Sequence, residues 1–459
     1  MTTLDEWYGK AEYLKGAPFI GNTLRVLKDP VDFLGKLAKS NGPVVVANFA
    51  SKKYFILQHP ECIKHVLLDN HKGYSKPGAT KILSLFLGEG LITTNGELWY
   101  KKRRLMQPAF HKKRLQHMLD IINEETTVFI DKLSALPGST QVNFSHEILQ
   151  LNISIISRAM FSTALTEEMN TMVGVLEDLT NYASVWMKSI IKIPTQWPTP
   201  ANNRFNNNCK IFDDIIYKII EQRKTYRANS TLPAHEDLLD MLMDYVDEDT
   251  MNEMTEKQLR DEVTTIFIAG HETTSQTLGW IFYQLARKKE ILQKVKNEAI
   301  TLFNNRLPGL EDLQGLPYTK QVIQEGMRRY PSVCALVRKP YADDHINGIK
   351  IPASSNVLIN IYGMHHHPGY WSVPDDFDPA HFNAGSDEQR VPFVYLPFGG
   401  GPRLCIGSNF ALMVMQVVIS RLSQSFDFNV PEGYEPKIEP NITIRAKDGI
   451  RLLVNKTAQ

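Results

Sequence analysis

The stretch Phe398-Gly399-Gly400-Gly401-Pro402-Arg403-Leu404-Cys405-Ile406-Gly407 constrains this chain more than any other. It sets one cysteine in a glycine-rich loop, two residues after an arginine and directly ahead of an apolar, helix-like run from Ser408 to Leu422. Gly399, Gly400 and Gly401 permit positive φ and bring backbone N–H groups close to a single atom. A helix that starts after the loop points the positive end of its dipole back at it. Both features favour thiolate over thiol, and thiolate is the form that ligates metal. Arg403 adds a fixed cation that suits an anionic group of whatever the sulfur binds.

One thiolate does not make a zinc site, which needs several Cys or His ligands at short spacing, and the loop holds no second Cys or His. A buried structural cysteine would account for the sulfur but not for the flanking Gly, Arg and Phe. A lone thiolate does suit haem iron, because the porphyrin supplies four ligands and its propionates need cations. The loop resembles the haem-binding loop of the cytochrome P450 family, Phe-x-x-Gly-x-Arg-x-Cys-x-Gly. Phe398, Gly401, Arg403, Cys405 and Gly407 occupy its fixed positions. The resemblance implies haem b (iron protoporphyrin IX) as cofactor, with Cys405 as axial iron ligand and Phe398, Gly399 and Arg403 beside it.

A second feature is a long helical pattern. Thr255-x-x-Gln258 is a capping-box start, and Leu259, Val263, Ile266, Phe267, Leu278, Ile281, Phe282 and Leu285 keep helical spacing. The run is roughly thirty residues, about 45 Å long. Ala269-Gly270-His271-Glu272-Thr273-Thr274 interrupts it. Gly weakens a helix by roughly 1 kcal/mol against Ala, and a Thr hydroxyl bonds the carbonyl four residues back and bends the axis. Small residues here would let a flat cofactor and a substrate approach the backbone, while Glu272 and Thr273 would carry protons into an apolar pocket. Standing alone, the interruption reads rather as a helix kink with satisfied polar groups. It resembles the P450 oxygen-activation motif Ala-Gly-x-Glu-Thr-Thr. That resemblance assigns catalysis to Thr273, which stabilises the dioxygen intermediate, and to Glu272, which helps deliver protons for O–O cleavage.

Further stretches fall in family order. Trp99 and Arg103, at i and i+4, present an indole N–H and a cation on one helix face; by resemblance both reach a haem propionate. Arg338 resembles the arginine that meets a propionate, and Lys76 approaches one too. Glu325 and Arg328, at i and i+3, resemble the buried P450 Glu-x-x-Arg pair. Its third member comes from a Pro-x-Arg-Phe segment, written here Pro379-Ala380-His381-Phe382. His replaces Arg; it can still donate to Glu325 or a carbonyl, but its charge depends on pH, which puts the strength of that bond in question. These three are structural. His365-His366-His367 is not expected to bind metal, because consecutive residues of an extended segment face opposite ways.

The chain has 459 residues, 43% hydrophobic and 22% charged. Length alone argues for two or three domains. With no Gly/Ser-rich linker, charge block or repeat, we read a single P450 domain over 1–459, mainly α. A smaller β-rich lobe is expected mainly at 40–60, 345–362 and 438–455. The formal net charge of +1 points to neither nucleic acid nor an anionic membrane. The N-terminus shows no signal peptide, no run is long enough to anchor in a bilayer, and the four cysteines are scattered. The expectation is a soluble, cytoplasmic, bacterial-type monomer. The chain ends soon after its last strand-like segment. No fused reductase is therefore expected, and electrons come from a separate ferredoxin or flavodoxin with its reductase.

Other expectations concern local structure. Val44 to Leu57 reads as a hairpin, 77–95 as irregular, Phe144 to Trp186 as one helical run and Glu236 to Asp249 as a solvated acidic helix. Asn441–Arg445 and Gly449–Val454 read as a hairpin whose tip projects, by resemblance, into the substrate pocket. Ile193 to Pro200 is a proline-stiffened connector or substrate lid. Lys101, Lys102, Arg104, Lys112, Lys113 and Arg114 form a basic cluster, either a solvated face or a dock for an acidic electron donor. Val263, Ile266, Phe267, Ala269 and Val333 to Val337 would line an apolar pocket, with Lys52 and Lys53 at its mouth. The reading is a haem-thiolate monooxygenase inserting one atom of O2 into an apolar fatty acid, terpenoid or steroid-like molecule. The alternatives are a peroxide-dependent haem-thiolate peroxygenase or isomerase, against which Glu272-Thr273 argues, and a haem sensor or carrier, for which no output domain is visible.

Overall fold

The computed structural model describes residues 4–457 apart from 41, 51, 78–79, 165–167, 190, 230–236, 247–252 and 305. The chain divides into two compact units. One comprises Met1–Thr80, Lys320–Cys405 and Ile438–Arg445; the other comprises Lys81–Thr319, Ile406–Lys437 and Ala446–Gln459.

The first unit is built on a twisted sheet. Val44–Phe49 and Lys52–Leu57 pair as the expected antiparallel hairpin, with Val44 opposite Leu57. Lys52–Leu57 runs parallel to Asn356–Ile359, which pairs antiparallel with Leu336–Pro340. The apolar run is continuous because both sheet faces are covered. Val44, Val46, Phe55 and Leu57 point into one core with Ile63, Met364 and Trp371. Val45, Ala47 and Ile56 point the other way, onto Phe33, Leu34 and Leu37 of the helix Pro30–Ser40. Such a sheet holds Arg338 at a defined register, opposite Val357.

The second unit is helical. Its axis is Glu256–Arg287, capped by the expected box: Gln258 N donates to Thr255 Oγ1, and Thr255 N donates to Gln258 Oε1 at 2.8 Å. Phe144–Phe161, Met169–Lys188, Pro200–Asn229, Lys112–Ser134 and Ser408–Ser425 accompany it. Several expectations need correction. The run from Phe144 to Trp186 is two helices, because Ser162 takes the left-handed conformation (φ 44°) that ends the first. The 77–95 stretch contains the helix Thr80–Leu87, whose Ile82, Phe86 and Leu87 are buried.

The acidic segment is not solvated where it is described. Asp237 and Asp240 are buried, and Arg223 donates to both at 2.6–2.9 Å while Leu238, Leu239 and Leu242 enter the core. Glu236 and 247–249 lie outside the described residues. The two C-terminal strand segments do not pair with each other. Ile438–Pro440 pairs with Ile444–Ala446, whereas Arg451–Lys456 lies between Phe426–Asn429 and Thr140–Asn143.

Candidate active site

Backbone contacts hold the Cys405 loop. Cys405 N donates to Phe398 O and Leu404 N to Gly401 O, each at 3.0 Å. Gly399 and Gly401 both have positive φ, +76° and +66°. A Cβ on Gly401 would come within 1.8 Å of the Leu67 carbonyl oxygen, so glycine is required there. Leu67 itself sits in a π-helical turn, His65–Asp69, a turn type concentrated at functional sites. Of the four cysteines, Cys405 is the exposed one. Burial, with Glu61 adding to it, pushes the Cys62 thiol up to about 12. Burial and then Asp213 push Cys209 up to about 12. Neither of these two forms a thiolate near neutral pH; Cys334 is partly buried and Cys405 is the most accessible of the four.

In the same unit three cations crowd one recess. Arg338, 8% exposed, donates through Nη1 to the Val337 carbonyl. Burial, then the like charge of Arg403, lowers its pKa to about 10. Burial, then Arg403 and Arg338, lowers that of Lys76 to about 7. Like charges held close together in buried and partly buried positions repel, and an anion among them relieves that repulsion. An exposed sulfur and three mutually repelling cations fit a haem, with its iron and two propionates. The sequence reading named Arg338, Arg403 and Lys76 toward the propionates, and the structure brings these three cations together.

The long helix carries the other predicted groups. From Leu259 to Ala286 every residue is buried except Ile268, Ala269, Gly270, Thr273 and Gln276. At 100° per residue Ala269, Thr273 and Gln276 fall on one stripe, flanked by Ile268 and Gly270. This stripe is the helix's open face. Thr273 Oγ1 donates to Ala269 O at 2.9 Å, and Glu272 is buried at 6% exposure. Burial lowers the His271 pKa, and its Nδ1 bonds the Phe267 carbonyl at 2.9 Å. Two expectations change here. Val263, Ile266 and Phe267 do not open onto this face; Phe267 stacks on Phe161, ring centroids 4.7 Å apart. Gly270's missing side chain serves helix packing, because a Cβ there would meet Ile156 Cδ1 at 2.8 Å. Val333 to Val337, by contrast, are all partly open. Gln276 escaped the sequence reading, since a glutamine beyond the motif carries no signal of its own.

Trp99, buried, and Arg103, partly buried, stand one turn apart on the helix Gly96–Met106. Lys102 does not belong to a basic surface. It is 7% exposed and donates to Glu262 Oε1 at 2.5 Å, while Glu262 Oε2 accepts from Leu91 N at 3.0 Å. Burial raises the Glu262 pKa, and Lys102 opposes the rise. Lys101 and Arg104 are exposed, whereas the side chains of Lys112 and Lys113 lie outside the described residues.

The Glu325–Arg328 pair is wholly buried and bidentate, with both bonds at 2.7 Å. Arg328 also donates to the carbonyls of His365, Pro374 and Asp376, each at 2.8 Å. His381 Nδ1 reaches both Glu325 oxygens at 3.3 Å, longer than the arginine bonds. The histidine triplet is not extended, as expected, but closes the short helix Ile361–His365. His365 Nε2 accepts from Leu396 N at 2.8 Å, and burial followed by Arg328 lowers its pKa to about 3. Among the described residues no group of three or more His, Cys, Asp or Glu is placed to hold a metal ion. No described helix is long and apolar enough to cross a membrane.

A family model described as Cytochrome P450 matches residues 12–453. The chain is similar to the Arabidopsis thaliana protein named LUTEIN DEFICIENT 5, chloroplastic, at 29% identity over 98% of this chain and 78% of that protein. It is 29% identical to human cytochrome P450 4F3 over 86% and 80%. It is also 27% identical to the putative cytochrome P450 132 of Mycobacterium bovis over 92% and 91%.

Proposed function

The chain belongs to the cytochrome P450 family of haem-thiolate monooxygenases, and we propose that it hydroxylates or epoxidises an apolar fatty acid, terpenoid or steroid-like molecule. The reaction is R–H + O2 + two electrons + two protons giving R–OH + water. The observation that carries the substrate class is the open stripe of the long helix. Ile268 and Ala269 give it an apolar wall, while Thr273 and Gln276 are its polar points.

Haem, the family's cofactor, supplies the activation of dioxygen when bound. The chain's own groups act around it. Cys405 Sγ would hold the haem iron, at a loop whose glycines fix its position. Lys76 Nζ and the Arg338 and Arg403 guanidinium groups would hold carboxylate; for Trp99 Nε1 and Arg103 the same role rests on the family resemblance alone. Thr273 Oγ1 donates to Ala269 O; rotating the hydroxyl would turn the same proton toward the open face, and its lone pairs could accept a bond in exchange. Glu272 is the proton donor behind it.

Electrons arrive from a separate ferredoxin or flavodoxin with its reductase. The exposed Lys101 and Arg104 support docking of an acidic donor. A spectral binding screen of the ferric enzyme against a lipophilic library tests the substrate class. Saturable shifts with fatty acids, terpenoids or steroids are expected; shifts confined to small polar compounds would overturn it. Turnover with peroxide and none with dioxygen and a reductase system would move the enzyme to the peroxygenases.

A further inference from the structure

The long helix is tied sideways at the turn that carries Glu272 and Thr273. Asn152, 2% exposed on the neighbouring helix Phe144–Phe161, donates through Nδ2 to two successive carbonyls, Gly270 O at 2.9 Å and His271 O at 2.8 Å. Two carbonyl acceptors on one nitrogen fix which end of the amide faces the helix. The same stretch collects other side-chain donors. His271 Nδ1 bonds Phe267 O, Thr273 Oγ1 bonds Ala269 O, Ser275 Oγ bonds His271 O and Thr277 Oγ1 bonds Thr273 O. Carbonyls 267, 269, 270, 271 and 273 thus all accept from side chains, and only those of 270 and 271 do so from another helix. Helix carbonyls normally point along the axis to the N–H four residues on. A lateral donor draws them off that line and locally loosens the ladder. The close packing is built for it: Gly270 brings the backbone up to Ile156, one turn along from Asn152.

We propose that Asn152 is a positioning residue for the oxygenation reaction. Its amide pulls the Gly270 and His271 carbonyls out of line and so sets the orientation of Glu272 and Thr273, the two residues that follow. Asn152 touches neither substrate nor cofactor; it acts through the backbone of the long helix. The inference rests on the reading of Glu272 and Thr273 as the proton-delivering pair.

The test compares Asn152→Leu, Asn152→Gln and Thr273→Ala in the haem-loaded enzyme. In Asn152→Leu the ratio of peroxide released to product formed is expected to rise roughly three- to tenfold, the partition that one neutral hydrogen bond controls. Asn152→Gln, which keeps the amide on a longer arm, recovers part of the coupling. A second readout needs no turnover. With the lateral donor gone, the carbonyls swing back into line, so the Thr274 and Ser275 amides exchange hydrogen more slowly relative to those of Leu278 to Phe282. A tie that only held the fold would give faster exchange there and unchanged coupling, and that result overturns the proposal. Should leucine prevent folding, Asn152→Ser removes the same two bonds and carries the same expectations. If Thr273→Ala uncouples and the Asn152 variants do not, this inference falls alone. If Thr273→Ala stays coupled, the parent reading falls and takes this one with it.

Discussion

Lys76 gives the cationic recess a measurable signature. In the protein without haem its pKa is lowered to about 7 by burial and then by Arg403 and Arg338. The unfolded chain has a lysine pKa near about 10.4. Unfolded molecules therefore bind more protons than folded ones between roughly pH 7 and pH 10, and the haem-free protein gains stability as pH rises through that window. Placing propionates beside Lys76 restores its affinity for protons. At pH 8 the empty recess holds about 0.1 proton on Lys76 and the filled one close to a full proton, so haem loading takes up about 0.9 proton there. At pH 6 the lysine is already about 0.9 protonated and the uptake falls to about 0.1. Titrating haemin into the haem-free protein by calorimetry, in buffers of different ionisation enthalpy, measures this uptake. Any proton exchanged by Cys405 on ligation is common to both proteins, so the informative quantity is wild type minus Lys76→Met. An equal uptake in both proteins at pH 8 would refute the placing of propionates beside Lys76.

Thr273→Ala should leave substrate binding near wild type while raising the peroxide released per electron pair; unchanged coupling would remove its proton role. Lys102→Met leaves Glu262 buried without its cation and should cost about 3–5 kcal/mol in urea unfolding, against less than about 1 kcal/mol for a surface lysine. Charge reversal at Lys101 and Arg104 together should slow reduction by an acidic donor, more at low than at high ionic strength. An unchanged rate would return that face to ordinary solvation.

What was legible in the sequence was local. The Cys405 loop is one contiguous string in which φ-permissive glycines, a cation and the sulfur explain one another. The Thr255–Gln258 cap likewise lies within one turn. Hidden features depended on distant partners. Lys102 reads as one of six basic residues until Glu262, 160 positions away, is seen to bury it. Asp237 and Asp240 read as a solvated face until Arg223 closes on them. Hydrophobicity marks Phe267 and Ala269 alike as apolar, yet one is stacked on Phe161 and the other lies on the open stripe. Asn152 carries no pattern in its own segment, since its role comes from two carbonyls on another helix.

The assignment of Cys405 as the axial ligand is tested most directly by the absorption spectrum of the reduced carbon monoxide complex. The wild-type enzyme should absorb at the position specific to thiolate-ligated haem, and Cys405→Ser should lose that band while Cys62→Ser and Cys209→Ser keep it. Retention of the band in Cys405→Ser would contradict the account.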